Sequence, residues 1–353
     1  MDAPTSPSSA EAPGPPQPGP EPTDPGPPIH DADGPHVRIV ACSKDETREL
    51  HGVSALRATL AEPDTRVWVD IAADDEHEVE AVATLLELHP LIAEDIVERN
   101  QRAKVEETEG TIHVVMFWIA YEGAVTELEV DLVLFRRGLL TVHAPGWDPR
   151  TLPQLRGDIG TVLKRGPDFL LYAITDGIVD GYFPVLDALD DEIDALQDDV
   201  IQKPSSWTLE RLFALKKELI GLRRAMSPAR EIFAQLTNRD LDLINPAHVI
   251  YFRDVYDHLI RVTDELDNDR ELVAGTLEVY LSTINNNLST IMKRLTGVTV
   301  ILAGIGAVAG VFGMSEAGTA IANGEANGFW LITAIIVMGA AVTALFLRRI
   351  DWI

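Results

Sequence analysis

Two stretches near the carboxyl end limit what this chain can become. Leu295–Met314 is 20 residues long, Ala326–Leu347 is 22, and neither contains a charged side chain. A helix of either length spans a hydrocarbon layer of about 30 Å. Lys293 and Arg294 precede the first stretch, and Arg348 and Arg349 follow the second. The connecting segment, Ser315–Glu325, carries Glu316 and Glu325 and no base. Basic residues flanking a span stay on the cytoplasmic side. Residues 295–353 are therefore expected to form a two-helix transmembrane hairpin in an inner or plasma membrane, with both termini cytoplasmic and a short external loop.

The composition removes several functions. The 353 residues hold 56 Asp+Glu against 29 Lys+Arg, a formal charge of -27. A surface of that sign repels nucleic-acid phosphates and collects cations. One cysteine, Cys42, excludes a disulfide within the chain and a multi-cysteine zinc site. There is no Walker A motif and no His-Glu-x-x-His. Gly313-Met314-Ser315 is not a nucleophile elbow, because position 317 is Ala. No enzyme is expected.

Ahead of the membrane part the chain divides into three unlike regions. Residues 1–35 contain 12 of the 22 prolines, six acids and no Lys or Arg, which reads as a disordered acidic tail. Residues 36–167 form an α/β cytosolic domain. Its strand-like runs are 36–42, 66–71, 112–121, 128–135 and 139–144, with a turn at Arg137-Gly138, and a helix is expected over 76–89. Residues 168–294 are helical. Tyr182, Leu186, Leu189, Ile193, Leu196 and Val200 step by four and three, as do Leu212, Leu215, Leu219, Leu222 and Met226. Lys203-Pro204-Ser205-Ser206 turns between them. A third helix, capped by Asn245 with Pro246 at its first position, continues the seam with a break near Asp269. Run through to Met314, it is about 100 Å long.

One hairpin cannot enclose a path. Its first span has a face of small or polar residues: Met292, Thr296, Thr299, Ala303, Gly306 and Gly310. Gly306 and Gly310 form a GxxxG pair that suits close helix packing in lipid. The same face suits the lining of a pore in a symmetric oligomer, and the two can coexist. The spans contain no ionisable residue, whereas proton relays keep one in the membrane. Passive flow through a neutral pore fits better. Acids are the abundant chemistry elsewhere, and oxygen ligands suit Mg²⁺. His113 and His143 lie in strand-like runs, where a packed imidazole is the expectation.

Four segments resemble the CorA magnesium-transporter family. They are His89–Asp95 with Gln101–Glu106, Leu170–Asp176 with Asp180–Phe183, Tyr251–His258, and Phe312-Gly313-Met314. The resemblance implies a funnel-shaped homopentamer, with the long helices lining the pore and the second spans outside. It implies Mg²⁺ as both regulator and cargo, with Co²⁺ and Ni²⁺ as further cargo and no organic cofactor. The implied metal ligands are Glu94, Asp95, Asp176 and Asp254 at subunit contacts, holding the closed state. The implied pore positions are Ser289, Met292, Leu295, Thr299, Ala303, Gly306 and Gly310, ending in the selectivity signature Gly313, Met314 and Ser315.

Three departures stand out. Ser315 replaces the family's asparagine. The loop lacks the Met-Pro-Glu-Leu-like segment, leaving Glu316 or Glu325 to supply an acidic ring. Ala303-Gly304 replaces a Met-Pro pair. The sequence thus predicts a passive channel for Mg²⁺. Its rivals are a Zn²⁺ transporter of the same superfamily and a non-conducting membrane metal sensor.

Overall fold

The structure is a computed structural model that describes residues 36–44, 46–239, 241–313, 327–350 and 352. The acidic tail, Met314, Ser315 and the loop acids Glu316 and Glu325 lie outside the described residues.

A seven-stranded sheet forms the first layer. In chain order it holds β1 (Val37–Cys42), β2 (Thr47–His51), β3 (Arg66–Ala72), β4 (Lys104–Thr108), β5 (Thr111–Tyr121), β6 (Val125–Phe135) and β7 (Gly138–His143). Their spatial order is β2-β1-β3-β7-β6-β5-β4. Only the β3–β7 pair is parallel. Both faces of the central strands are apolar because both are covered. Val37, Ile39, Val69, Ile71 and Val142 face α1 (Val53–Leu60), α2 (Glu76–Leu85) and α3 (Pro90–Glu98). Val40, Trp68, Val114, Met116 and Leu132 face the other core.

That second core is helical: α4 (Ile159–Arg165), α5 (Pro167–Asp180), α6 (Tyr182–Gln202), α7 (Ser206–Asn238) and the first part of α8 (Val249–Gly313). The heptad residues are buried as their spacing requires, from Tyr182 to Val200 and from Leu212 to Met226. The Ser205 hydroxyl accepts from the Thr208 amide at 3.1 Å and caps α7. The Arg211 guanidinium of α7 ties the two arms together through Glu192 of α6 and is held by Glu218 of its own helix at 3.1 Å.

The strands expected from sequence are present, each shifted by at most a few residues. The edge strands β2 and β4 were not legible, nor were α1 and α3. The helix expected over 76–89 ends at Leu85, and Glu87 takes a positive φ of 52°. The long helix begins at Val249 rather than Pro246. Residues 246–248 form a tighter turn, with the His248 amide bonded to the Asn245 carbonyl at 2.7 Å. Asn245 caps that turn through Ala247 N at 3.0 Å. The buried Asp168 carboxylate accepts from Asn245 N at 2.9 Å and lies 2.7 Å from His248 Nδ1. It anchors the start of α8 to the start of α5.

At 65 residues, α8 is about 100 Å long. Among the described residues, two helical runs pass a length-and-hydropathy test for crossing a bilayer, but they differ in burial. The apolar window within Pro167–Gln202 is 72% buried and is core. The window within Val249–Val311 is 6% buried. A second exposed apolar helix, α9 (Asn327–Arg349), lies beside its end.

Candidate functional site

Among the described residues, two groups of ligand-type side chains occur ahead of the membrane part. The first lies where α5 meets α8. One ligand atom each from Asp176, Asp180 and His258 falls within 4.8 Å of the others. The spacing Asp176/Asp180 puts two carboxylates on one helix face a turn apart. Gln154 Nε2 donates to Asp176 Oδ2 at 3.0 Å and to Asp180 Oδ2 at 2.9 Å. His258 Nδ1 stands 3.5 Å from Asp180 Oδ1. Burial raises the pKa of Asp176, and neighbouring Asp180 and Asp254 push the same way against Gln154 and His258. Tyr172 is pushed up to about 12 by burial and by Asp176, Asp254 and Asp180. The acids here are crowded and undercompensated.

Such a site attracts a cation. Its donors are chiefly oxygens, and the buried Gln154 Oε1 has no hydrogen-bond partner. That donor set fits Mg²⁺, which takes carboxylates and keeps several waters.

The second group lies on the other face of the sheet. Asp95 from α3, Glu106 from β4 and His113 from β5 offer atoms within 4.8 Å of one another. Lys104 Nζ sits 2.6 Å from Asp95 Oδ2 and 3.1 Å from Glu106 Oε1. Glu94 is exposed on α3.

Of the four acids singled out in the sequence, one chain brings Asp176 and the exposed Asp254 into electrostatic contact. Among the described residues, no hydrogen bond or ion pair joins Glu94 or Asp95 to them. Asp180, His258 and Gln154 were missed. The first two are spaced legibly (Asp176/Asp180 and Asp254/His258 are both i, i+4 pairs), whereas Gln154 comes from a loop and had no signal.

In the membrane part, α9 covers one face of α8. Val300, Ile301, Gly304, Ile305 and Val308 meet Ile335, Ile336, Gly339, Ala340 and Thr343. Ser289, Met292, Leu295, Thr299, Ala303, Gly306 and Gly310 are all exposed in the single chain. Gly306 and Gly310 have no atom within 4 Å of where a Cβ would stand, so the GxxxG pair is not used against α9. Gly304, which lines the side towards α9, likewise has no atom within 4 Å of where a Cβ would stand. Of the signature, only Gly313 is described, as the last residue of α8.

A long exposed apolar helix emerging from an acidic α/β domain, with a second span beside it, defines a membrane transport protein rather than an enzyme. Residues 64–349 match the profile of the CorA-like Mg²⁺ transporter protein family, and the chain belongs to that family of divalent metal ion transporters. It is 32% identical over 287 residues to the cobalt/magnesium transport protein CorA of Thermotoga maritima, covering 79% of this chain and 82% of that one. It is 27% identical over 188 residues to the zinc transport protein ZntB of Yersinia pseudotuberculosis, covering 53% and 57%. Its fold matches the complete structure of the CorA magnesium transporter from Methanocaldococcus jannaschii with a TM-score of 0.76 at 23% identity, over 90% of this chain and 98% of that one.

Proposed function

We propose that the chain assembles as a homopentamer in the inner or plasma membrane, both termini cytoplasmic, and conducts Mg²⁺ passively, with Co²⁺ and Ni²⁺ as further cargo. The observation that carries this is the uncovered face of α8. Thr299, Ala303, Gly306 and Gly310 lie open while α9 packs on the face of Gly304 and Ile305. Copies of the chain arranged around that face enclose a path lined by small residues. Further down the helix, Leu281, Ile284, Leu288 and Ile291 are exposed apolar side chains that a ring of stalks would bury. The number five is carried by the family resemblance.

The driving force needs no nucleotide. A doubly charged ion entering down a 100 mV inside-negative potential gains about 4.6 kcal/mol. The path holds no ionisable group among its described residues, so the ion keeps its water and meets hydroxyls and glycine backbone. Beyond them Ser315 stands in the sequence where the family has asparagine. A serine hydroxyl can bond the hydration shell, with one donor and two acceptor lone pairs.

Gating follows from charge. Asp176 and Asp254 of one protomer and Glu94 and Asp95 of its neighbour repel until a cation bridges them. Cytosolic Mg²⁺ then holds the ring symmetric and closed, and its loss shifts the population toward open states. A second reading, Zn²⁺ as cargo, is favoured by the imidazole of His258 beside Asp176 and Asp180. Flux into liposomes under an inside-negative potential tests both readings, with Mg²⁺, Co²⁺ and Zn²⁺ offered separately and in competition. Mg²⁺ entry above empty vesicles supports the first; entry of Zn²⁺ alone replaces it with the second.

A further inference from the structure

The group on the sheet has a feature that acids alone do not give. His113 is fully buried, and its Nε2 lies 2.8 Å from Asp131 Oδ1, itself fully buried. The other ring nitrogen, Nδ1, is buried with no hydrogen-bond partner. An orphaned imidazole nitrogen inside a protein is costly. Here the ring lies directly opposite Glu106 in the β4–β5 register, on the face that α3 covers with Asp95. One ligand atom from each of the three lies within 4.8 Å of the others.

Carboxylate–histidine–metal relays have this form: one nitrogen bound to a carboxylate, the other free for a metal. Asp131 supplies the carboxylate. A cation is also already held between the two acids, since the Lys104 ammonium bridges Asp95 and Glu106. The Glu106 side chain is 44% exposed, which leaves a way in from solvent.

We propose that Asp95, Glu106 and His113 form a binding site for a transition-metal dication such as Zn²⁺, Co²⁺ or Ni²⁺, complete within one chain, with Asp131 positioning the imidazole and Lys104 as the built-in competitor. The mixed set selects against Mg²⁺, which prefers oxygen, and for ions that accept imidazole. Two carboxylates and one imidazole leave a fourth position of a tetrahedral ion to water. Lys104 must swing out when the ion enters, because both charges claim the same carboxylate oxygens. The site does not depend on conduction. It does draw on Asp95, so its occupation withdraws that carboxylate from the subunit contact.

The test uses the full-length protein in detergent with Co²⁺ alone as the probe. Excess Mg²⁺ is present to fill oxygen-only sites. Stoichiometry comes from equilibrium dialysis, and imidazole ligation from the visible absorption of bound Co²⁺. Glu106→Gln and His113→Gln are expected to lose one Co²⁺ per chain. Asp131→Asn should weaken that Co²⁺ about 10- to 100-fold, as second-sphere changes do. Lys104→Met should tighten it. His258→Gln controls for the cluster on α5 and α8 and should leave this ion in place. Glu106 lies on an exposed edge strand, so its variant reports even where the buried His113 variant does not fold. Unchanged Co²⁺ stoichiometry and spectrum in Glu106→Gln, with wild-type melting, overturns the proposal. Because the readout is binding without a potential, failure of ion flux leaves the result standing.

Discussion

Asp269 occupies a seam position of α8 that an aliphatic residue would ordinarily fill. It follows Leu266 and precedes Val273, both buried, and is itself fully buried. Neither carboxylate oxygen has a hydrogen-bond partner. Burial raises its pKa to about 8, with Asp190, reached across the α6 interface, and Glu265 adding to the effect. Glu265 is raised as well, by burial and by Asp190 and Asp187, against the pull of Arg261. The folded chain therefore keeps a proton that the unfolded chain releases above its ordinary value of 3.8. Stability is unaffected below that value, falls as pH rises through the window between 3.8 and about 8, and stays low above it. At about 1.4 kcal/mol per pH unit, a window of about four units sets a ceiling of about 6 kcal/mol. Water entry and relaxation between the helices bring the expected loss nearer 2 kcal/mol, on the order of the cost of one unpaired buried polar group. Asp269→Asn keeps the shape and removes the ionisation. Thermal unfolding of the detergent-solubilised protein at pH 4.5 and 8.5 should show the variant matching wild type at the lower pH. At the higher pH it should melt about 4–8 °C later, at about 2–4 °C per kcal/mol for a unit of this size. A difference between the two proteins that does not change with pH would refute the burial argument.

Asp254→Asn should raise the Mg²⁺ concentration that protects the part ahead of the spans from protease several-fold; unchanged protection would make Asp254 a solvated acid. Asp168→Ala removes the acceptor of Asn245 N and the partner of His248, and should cost about 1–3 kcal/mol in thermal unfolding. Its structural effect should be confined to the start of α8, read as faster amide exchange at Val249–Phe252. Ser315→Asn should shift the liposome flux preference toward Mg²⁺ over Co²⁺, since an amide offers the hydration shell two donors and an acceptor. Equal preference in the two proteins would place selection elsewhere.

Long-period features were legible in the sequence and short-range ones were not. The seams of α6, α7 and α8 repeat over many turns, so each residue reinforces the reading of the next. The uncharged spans are equally redundant. Strands β2 and β4 are five residues each, lie at the sheet edges, and carry Arg48, Glu49, Lys104, Glu106 and Glu107, so they show neither apolar content nor alternation. Helix α3 was hidden because Pro90 at its first turn and Arg99 in left-handed conformation at its end bracket only nine residues. The acids of the site split by the same logic. Asp176 and Asp254 were singled out through the family's motifs, while Gln154 comes to Asp176 from an irregular segment that only the tertiary fold brings there. His113 was expected to be packed, and it is. Its unpartnered nitrogen depends on β4 and α3, the two elements that local pattern did not reveal.

Conduction along the open face of α8 requires that face, and not the one against α9, to meet the ion. Single cysteines at Ala303, on the open side, and at Val308, on the side covered by α9, place a thiol in each environment while the native Cys42 stays buried. During Mg²⁺ uptake into liposomes, a charged thiol reagent should block flux through Ala303→Cys and leave Val308→Cys untouched. Block of Val308→Cys with Ala303→Cys unaffected would mean that the ion does not travel along the face of Thr299, Ala303, Gly306 and Gly310.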